Sequence, residues 1–136
     1  MKVLADTPVW SAAFRRSSDL ENPLRRELEW LVANGAVAIC GPIRQELLSG
    51  IKLVAKFEQV RDALRKFPDL LLHSEDYETA AEYFNLCRAK GVQGSMTDYL
   101  ICAVAVRREL EIFTTDGDFR LYRKHLPIAL YVEAGA

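Results

Sequence analysis

The sequence predicts an α/β fold: a mostly parallel sheet covered by helices on both faces. Three observations predict it. Short apolar runs alternate with longer stretches whose apolar residues keep helical spacing. Proline, glycine and capping residues punctuate the boundaries between them. Finally, the 136 residues, half of them hydrophobic, contain no linker, internal repeat or low-complexity segment, so residues 1–136 are expected to form one domain around one core.

Lys2 to Ala5 reads as a strand passing at Asp6-Thr7-Pro8 into a helix, with Asp6 or Thr7 as its cap and Pro8 in its first turn. Asn22-Pro23 opens a second helix, on which Leu24, Leu28, Leu31 and Val32 keep helical spacing until Asn34-Gly35 stops it. Ala36 to Cys40 is the second strand, and Gly41-Pro42 begins a helix closed by Gly50. From Leu53 to Phe67 an amphipathic helix carries Phe57, Val60 and Leu64, with Lys56, Arg61, Arg65 and Lys66 interleaved. Leu70-Leu71-Leu72 is expected as a short strand. Ser74 is then the expected cap of a helix burying Tyr77, Ala80, Ala81, Phe84 and Cys87.

The apolar run from Tyr99 to Val106, introduced by Ser95-Met96-Thr97-Asp98, reads as a helix buried on nearly all sides. Ile112-Phe113 is the fourth strand, Phe119 to Lys124 a short helix and Ile128 to Val132 the last strand. Parallel strands joined in this way need right-handed crossovers.

The formal net charge of −1 advertises no nucleic-acid surface, so any RNA contact must rest on local cations or a bound metal. Cys40, Cys87 and Cys102 lack C-x-x-C spacing and sit in apolar runs, which predicts reduced, buried thiols and a cytoplasmic protein. The apolar run after Lys2 is too short for a signal peptide, and no stretch has the length of a membrane span.

Chemistry concentrates where acids adjoin apolar sequence. Ile112 to Phe119, I-F-T-T-D-G-D-F, carries Asp116 and Asp118 just beyond a strand; Asp6 follows another strand, while Glu46 and Asp98 lie in early turns of their helices. In parallel sheets ligand sites form beyond the carboxyl ends of strands. Carboxylates about 6 Å apart at an effective dielectric of about 20 repel by roughly 3 kcal/mol per pair, so protons or a divalent cation must neutralise such a cluster. Oxygen donors favour Mg²⁺, or Mn²⁺, over zinc, and His73 and His125 stand isolated. Carboxylate-held Mg²⁺ suits phosphodiester hydrolysis without a nucleophilic side chain. Accordingly, the chain has no G-x-S-x-G elbow, Walker A loop or G-x-G-x-x-G fingerprint. Each acid also has a structural reading: Asp6 as a helix cap, Asp98 in a loose capping box with Ser95, Glu46 on a solvated face, and Asp116-Gly117-Asp118 as a polar turn.

Four motifs in order, D-T-P-V-W at Asp6 to Trp10, E-L-L-x-G-I at Glu46 to Ile51, T-D-Y-L-I-C-A at Thr97 to Ala103 and T-T-D-G-D-F at Thr114 to Phe119, resemble the PIN-domain family, and within it the VapC toxins of toxin-antitoxin pairs. The resemblance implies a PIN-like three-layer α/β/α sandwich and a Mg²⁺-dependent endoribonuclease. Asp6, Asp98 and Asp116 would hold metal, Glu46 would help bind or activate it and its water, and Asp118 would be auxiliary. It further implies that Thr7, Thr97 and Thr115 orient carboxylates or water from just outside the ligand set. A cognate antitoxin and a homodimer are the implied partners, along with the RNA substrate.

Arg15 and Arg16, leaving the helix that starts at Asp6, are the candidate phosphate contacts, although a solvated face explains them too. The outer edge of the Leu53–Phe67 helix is a candidate antitoxin surface. The alternative function is a non-catalytic PIN-like module that binds RNA or protein. A phosphoacceptor receiver domain fits less well, because His73 stands where an acceptor aspartate belongs and no lysine follows the final strand.

Overall fold

The computed structural model describes residues 2–15 and 22–131. Its five-stranded parallel sheet has the order β3-β2-β1-β4-β5, with β1 Val3–Ala5, β2 Val37–Cys40, β3 Asp69–Leu70, β4 Glu111–Phe113 and β5 Ala129–Leu130. Val3 lies opposite Val37 and Glu111, and Leu4 opposite Ala38 and Ile112. All three residues of β1 are buried, as an unbroken apolar strand covered on both faces requires.

The helices are α1 Thr7–Ala13, α2 Pro23–Ala33, α3 Gly41–Ser49, α4 Val54–Leu64, α5 Ser74–Ala89, α6 Met96–Arg107 and α7 Asp118–Arg123. α1 packs on α2 and α3, α3 on α4, and α5 on α6, which also meets α3 and β4. From β1 the chain steps to β2 and β3 at one edge, then returns past β1 to β4 and on to β5. Its direction of travel across the sheet therefore reverses between β1 and β4, and a crevice opens beyond the carboxyl ends of strands at such a reversal.

Local sequence explains most boundaries. Asn22 accepts the Leu24 N–H at 3.0 Å and Ser95 Oγ accepts the Asp98 N–H at 3.0 Å, each capping its helix. Gly35 ends α2 at φ 62°, a left-handed conformation that suits glycine. α6 buries Tyr99 and every residue from Ile101 to Ala105, as its uninterrupted apolar run predicts. The three cysteines are buried and free. Burial of residues such as Leu4, Ile39, Ile43 and Ile112 stabilises the fold by about 1.5–3 kcal/mol per side chain.

Several expectations need correction. The strand expected at Leu70-Leu71-Leu72 is only Asp69–Leu70, and Leu71 is exposed where the chain leaves the sheet edge. His73, not Ser74, is the residue before α5; its N–H is taken by the Asp76 carboxylate at 2.8 Å. Tyr77 and Ala81 are exposed, because α5 turns its Ala80–Cys87 stripe to the core and leaves these two on the rim of a groove against α6. The last helix starts at Asp118, one residue early; of the last strand only Ala129–Leu130 pairs within the described residues, outside which Val132 lies. Among the described residues no helix is long and apolar enough to cross a membrane.

Candidate active site

Asp6 stands at the reversal point, immediately after β1, with its N–H donating to the Phe113 carbonyl of β4 at 2.8 Å. It is the N-cap of α1, and its Oδ1 accepts the Thr7 N–H at 2.8 Å while its Oδ2 accepts the Thr114 hydroxyl at 2.9 Å. Both carboxylate oxygens are thus held, and its plane is fixed. Trp10 reinforces the turn from below: its buried indole N–H donates to the Ala5 carbonyl at 2.9 Å, and its ring meets Phe67 edge-on at 5.3 Å. The cap reading and the site reading of Asp6 are therefore compatible.

Burial pushes the Asp6 carboxyl up to about 6. The hydrogen bonds from Thr114 and Thr7 pull the other way, and the nearby charges of Asp98 and Glu46 add to the rise. Asp98, in the first turn of α6, is also raised, chiefly by burial; hydrogen bonds from Tyr122 and Ser95 oppose this, while Asp116 and Glu46 reinforce it. Four acids distant in sequence therefore lie within one electrostatic neighbourhood. Two buried, raised carboxylates, Asp6 and Asp98, with further acids beside them in a crevice mark a candidate functional site.

The loop after β4 is tied to Asp6 through one hydroxyl. Thr114 Oγ1 donates to Asp6 and accepts the Asp116 N–H at 3.0 Å; Asp116 Oδ1 in turn accepts the Asp118 N–H at 2.9 Å. Thr114 was not singled out from sequence, although its place at the strand end, within T-T-D, is the signal that marks it. Thr115, the residue expected to orient carboxylates or water, is exposed in the loop after β4. Thr97 lines the groove between α5 and α6, whereas the Thr7 hydroxyl oxygen is buried without a hydrogen-bond partner among the described residues. Asp98 Oδ2 accepts the Tyr122 hydroxyl at 2.6 Å, a contact spanning 24 residues that no sequence pattern announces.

Glu46 is exposed on α3 and, with Thr7, lines a groove of about 1270 Å³ running between α1, α3 and α4. Its walls are apolar at Phe14, Ile51, Leu53 and Val54 and cationic at Arg15, Arg25 and Lys56. Arg16 lies outside the described residues.

The site's donors are carboxylate and hydroxyl oxygens, a set whose chemistry fits a hard divalent cation. The partnerless Thr7 oxygen and the raised Asp6 carboxyl are consistent with a missing counter-charge. Among the described residues no three Asp, Glu, His or Cys side chains are gathered closely enough to share an ion.

The family model described as the PIN domain matches residues 3–124. The chain belongs to the PIN-domain family. Within that family its relatives include a VapC ribonuclease of Mycobacterium bovis, 30% identical over 120 residues, covering 86% of this chain and 88% of that protein. Ribonuclease VapC6 of Mycobacterium tuberculosis is 31% identical over 106 residues, covering 75% and 83%. Among solved structures, this PIN domain is similar in fold to VapBC2 of Rickettsia felis bound to a promoter DNA fragment, with a TM-score of 0.76, 20% identity and coverage of 96% and 98%. FitAcB of Neisseria gonorrhoeae gives a TM-score of 0.71 at 20% identity, covering 96% of each chain. The motifs at Asp6, Glu46, Asp98 and Asp116 all fall within the matched residues of the PIN domain.

Proposed function

We propose that this PIN domain is a Mg²⁺-dependent endoribonuclease toxin of the VapC type, able to use Mn²⁺ and neutralised by a cognate antitoxin. The observation that carries this reading is the buried Asp6 carboxyl, raised by burial and by the charges of Asp98 and Glu46, at the reversal point of a parallel sheet. Its VapC relatives are named ribonucleases, which supports the choice of RNA as substrate.

In this reading Asp6, Asp98 and Asp116 hold the ion and Asp118 is auxiliary. A divalent cation supplies charge neutralisation at the phosphate and acidifies an attacking water. A bound cation would offset the repulsion among these carboxylates. The Thr7 N–H and the Thr114 hydroxyl hold both Asp6 oxygens in place, and Thr114 sets the Asp116 backbone relative to Asp6. Glu46, the solvent-facing acid, takes the proton of the attacking water. Arg15, Arg25 and Lys56 offer phosphate contacts along the groove, and its apolar wall suits an antitoxin segment that excludes RNA by lying in the same place.

A homodimer is part of the same proposal. It is supported by the apolar groove of about 380 Å³ between α5 and α6, whose rim exposes Tyr77 and Met96.

The deciding experiment incubates total tRNA and ribosomal RNA with the purified protein in Mg²⁺, in Mn²⁺ and in EDTA, beside Asp6→Asn. Discrete, metal-dependent fragments absent from the variant are the expected result. A folded, metal-responsive protein that leaves these RNAs intact would favour the non-catalytic binding module.

A further inference from the structure

Tyr122 is fully buried on α7, its ring 5.0 Å from that of Tyr99 and 5.1 Å from that of Phe119. A phenylalanine would keep that volume and those contacts, so packing alone does not call for the hydroxyl. The hydroxyl instead donates to Asp98 Oδ2 at 2.6 Å.

Gly94 shows the same arrangement from the other side. Its φ is not in the left-handed region, so the backbone there does not require glycine. A Cβ at this position would come within 2.4 Å of Tyr122 Oη and within 2.8 and 2.9 Å of two ring carbons. The ring is buried against Tyr99 and Phe119, so a side chain at this position would have to displace the phenol. The other described glycines have open space around their Cβ positions, which makes the close approach at Gly94 specific to Tyr122.

Tyr122 also joins two limbs of the acid site. It sits one helical turn after Asp118, on the helix that follows the Asp116 loop, whereas Asp98 belongs to α6. We infer that Tyr122 is a positioning residue: seated on Gly94, its hydroxyl fixes the Asp98 carboxylate relative to the Asp116–Asp118 loop. This rests on the metal-dependent reading given above.

The test is Mn²⁺ binding to the full chain, followed by the electron paramagnetic resonance signal of the free ion, for the parent, Tyr122→Phe and Gly94→Ala. Tyr122→Phe is expected to melt within about 4 °C of the parent without metal and to bind Mn²⁺ about tenfold more weakly. Its kcat on RNA should fall by a similar factor, with KM within about twofold of the parent. Gly94→Ala, which keeps the phenol but displaces it, should reproduce the weakened Mn²⁺ binding. Parent-like Mn²⁺ affinity in Tyr122→Phe overturns the inference, as does a large drop in metal-free melting temperature, which would make the hydroxyl a structural bond only. A parent that binds no Mn²⁺ defeats the metal reading itself, and this inference with it; the parent titration alone distinguishes that case.

Discussion

Asp6 and Asp76 are the buried carboxylates among the described residues, and the fold treats them in opposite ways. Asp76, in the first turn of α5, accepts Arg107 Nη2 and the His73 N–H, each at 2.8 Å, and the Arg107 guanidinium holds its carboxyl below the usual range. Arg107 lies at the end of α6 remote from Asp98, and both it and Arg108 also donate to the Leu71 carbonyl at 3.1 Å. Asp6 receives only neutral donors, has acids as its charged neighbours, and is pushed up to about 6. Asp76 is buried with its counter-charge, so removing either partner would strand the other; Asp6 is buried among like charges, which the proposed divalent cation would neutralise.

The largest expected difference between the two sites is in activity. Asp6→Asn should reduce RNA cleavage by at least about 100-fold, whereas Asp76→Asn, in molecules that remain folded, should cleave at nearly the parent rate. Equal losses in both variants, measured as kcat with the folded fraction determined by circular dichroism, would erase the distinction.

Stability should move in the opposite sense. Asp76→Ala breaks the Arg107 pair and the bond to His73, and is expected to cost about 2–3 kcal/mol in urea unfolding. Asp6→Asn removes a charge that burial disfavours. In EDTA at pH 7 it should stabilise the protein by about 1–3 kcal/mol. A destabilised Asp6→Asn would show that the carboxylate already has its counter-charge.

Addition of metal should then raise the melting point of the parent, since an ion at about 100 times its Kd adds about 2.7 kcal/mol to the folded state. Asp98→Asn should blunt the response, and EDTA should abolish it.

The smallest effect is in pH dependence. Asp6, raised in the folded state, contributes stability that is complete below about pH 4 and is lost as pH climbs through about 6. Asp76, lowered in the folded state, contributes stability present above about pH 4 and lost as pH falls below it. Metal-free unfolding measured from pH 3 to 7 in each variant should remove one limb of the profile and leave the other.

The sequence by itself determined the alternation of strands and helices, the caps at Asn22 and Ser95, the buried character of α6 and the acids worth examining. These depend on neighbours a few residues apart, where periodicity and capping chemistry are local. Tertiary structure decided the rest. The reversal between β1 and β4 sets Asp6 beside the loop carrying Asp116, and chain connectivity does not reveal strand order. That Thr114 bonds Asp6 depends on which way one hydroxyl points at a strand end. Tyr77 and Ala81 have the spacing of a core stripe, yet α5 is rotated so that Ala80 and Cys87 face inward. The contacts from Tyr122 to Asp98 and from Arg107 to Asp76 join side chains 24 and 31 residues apart. Such pairs form only when packing brings distant helices together, and whether a buried acid meets a cation or another acid is settled by that packing.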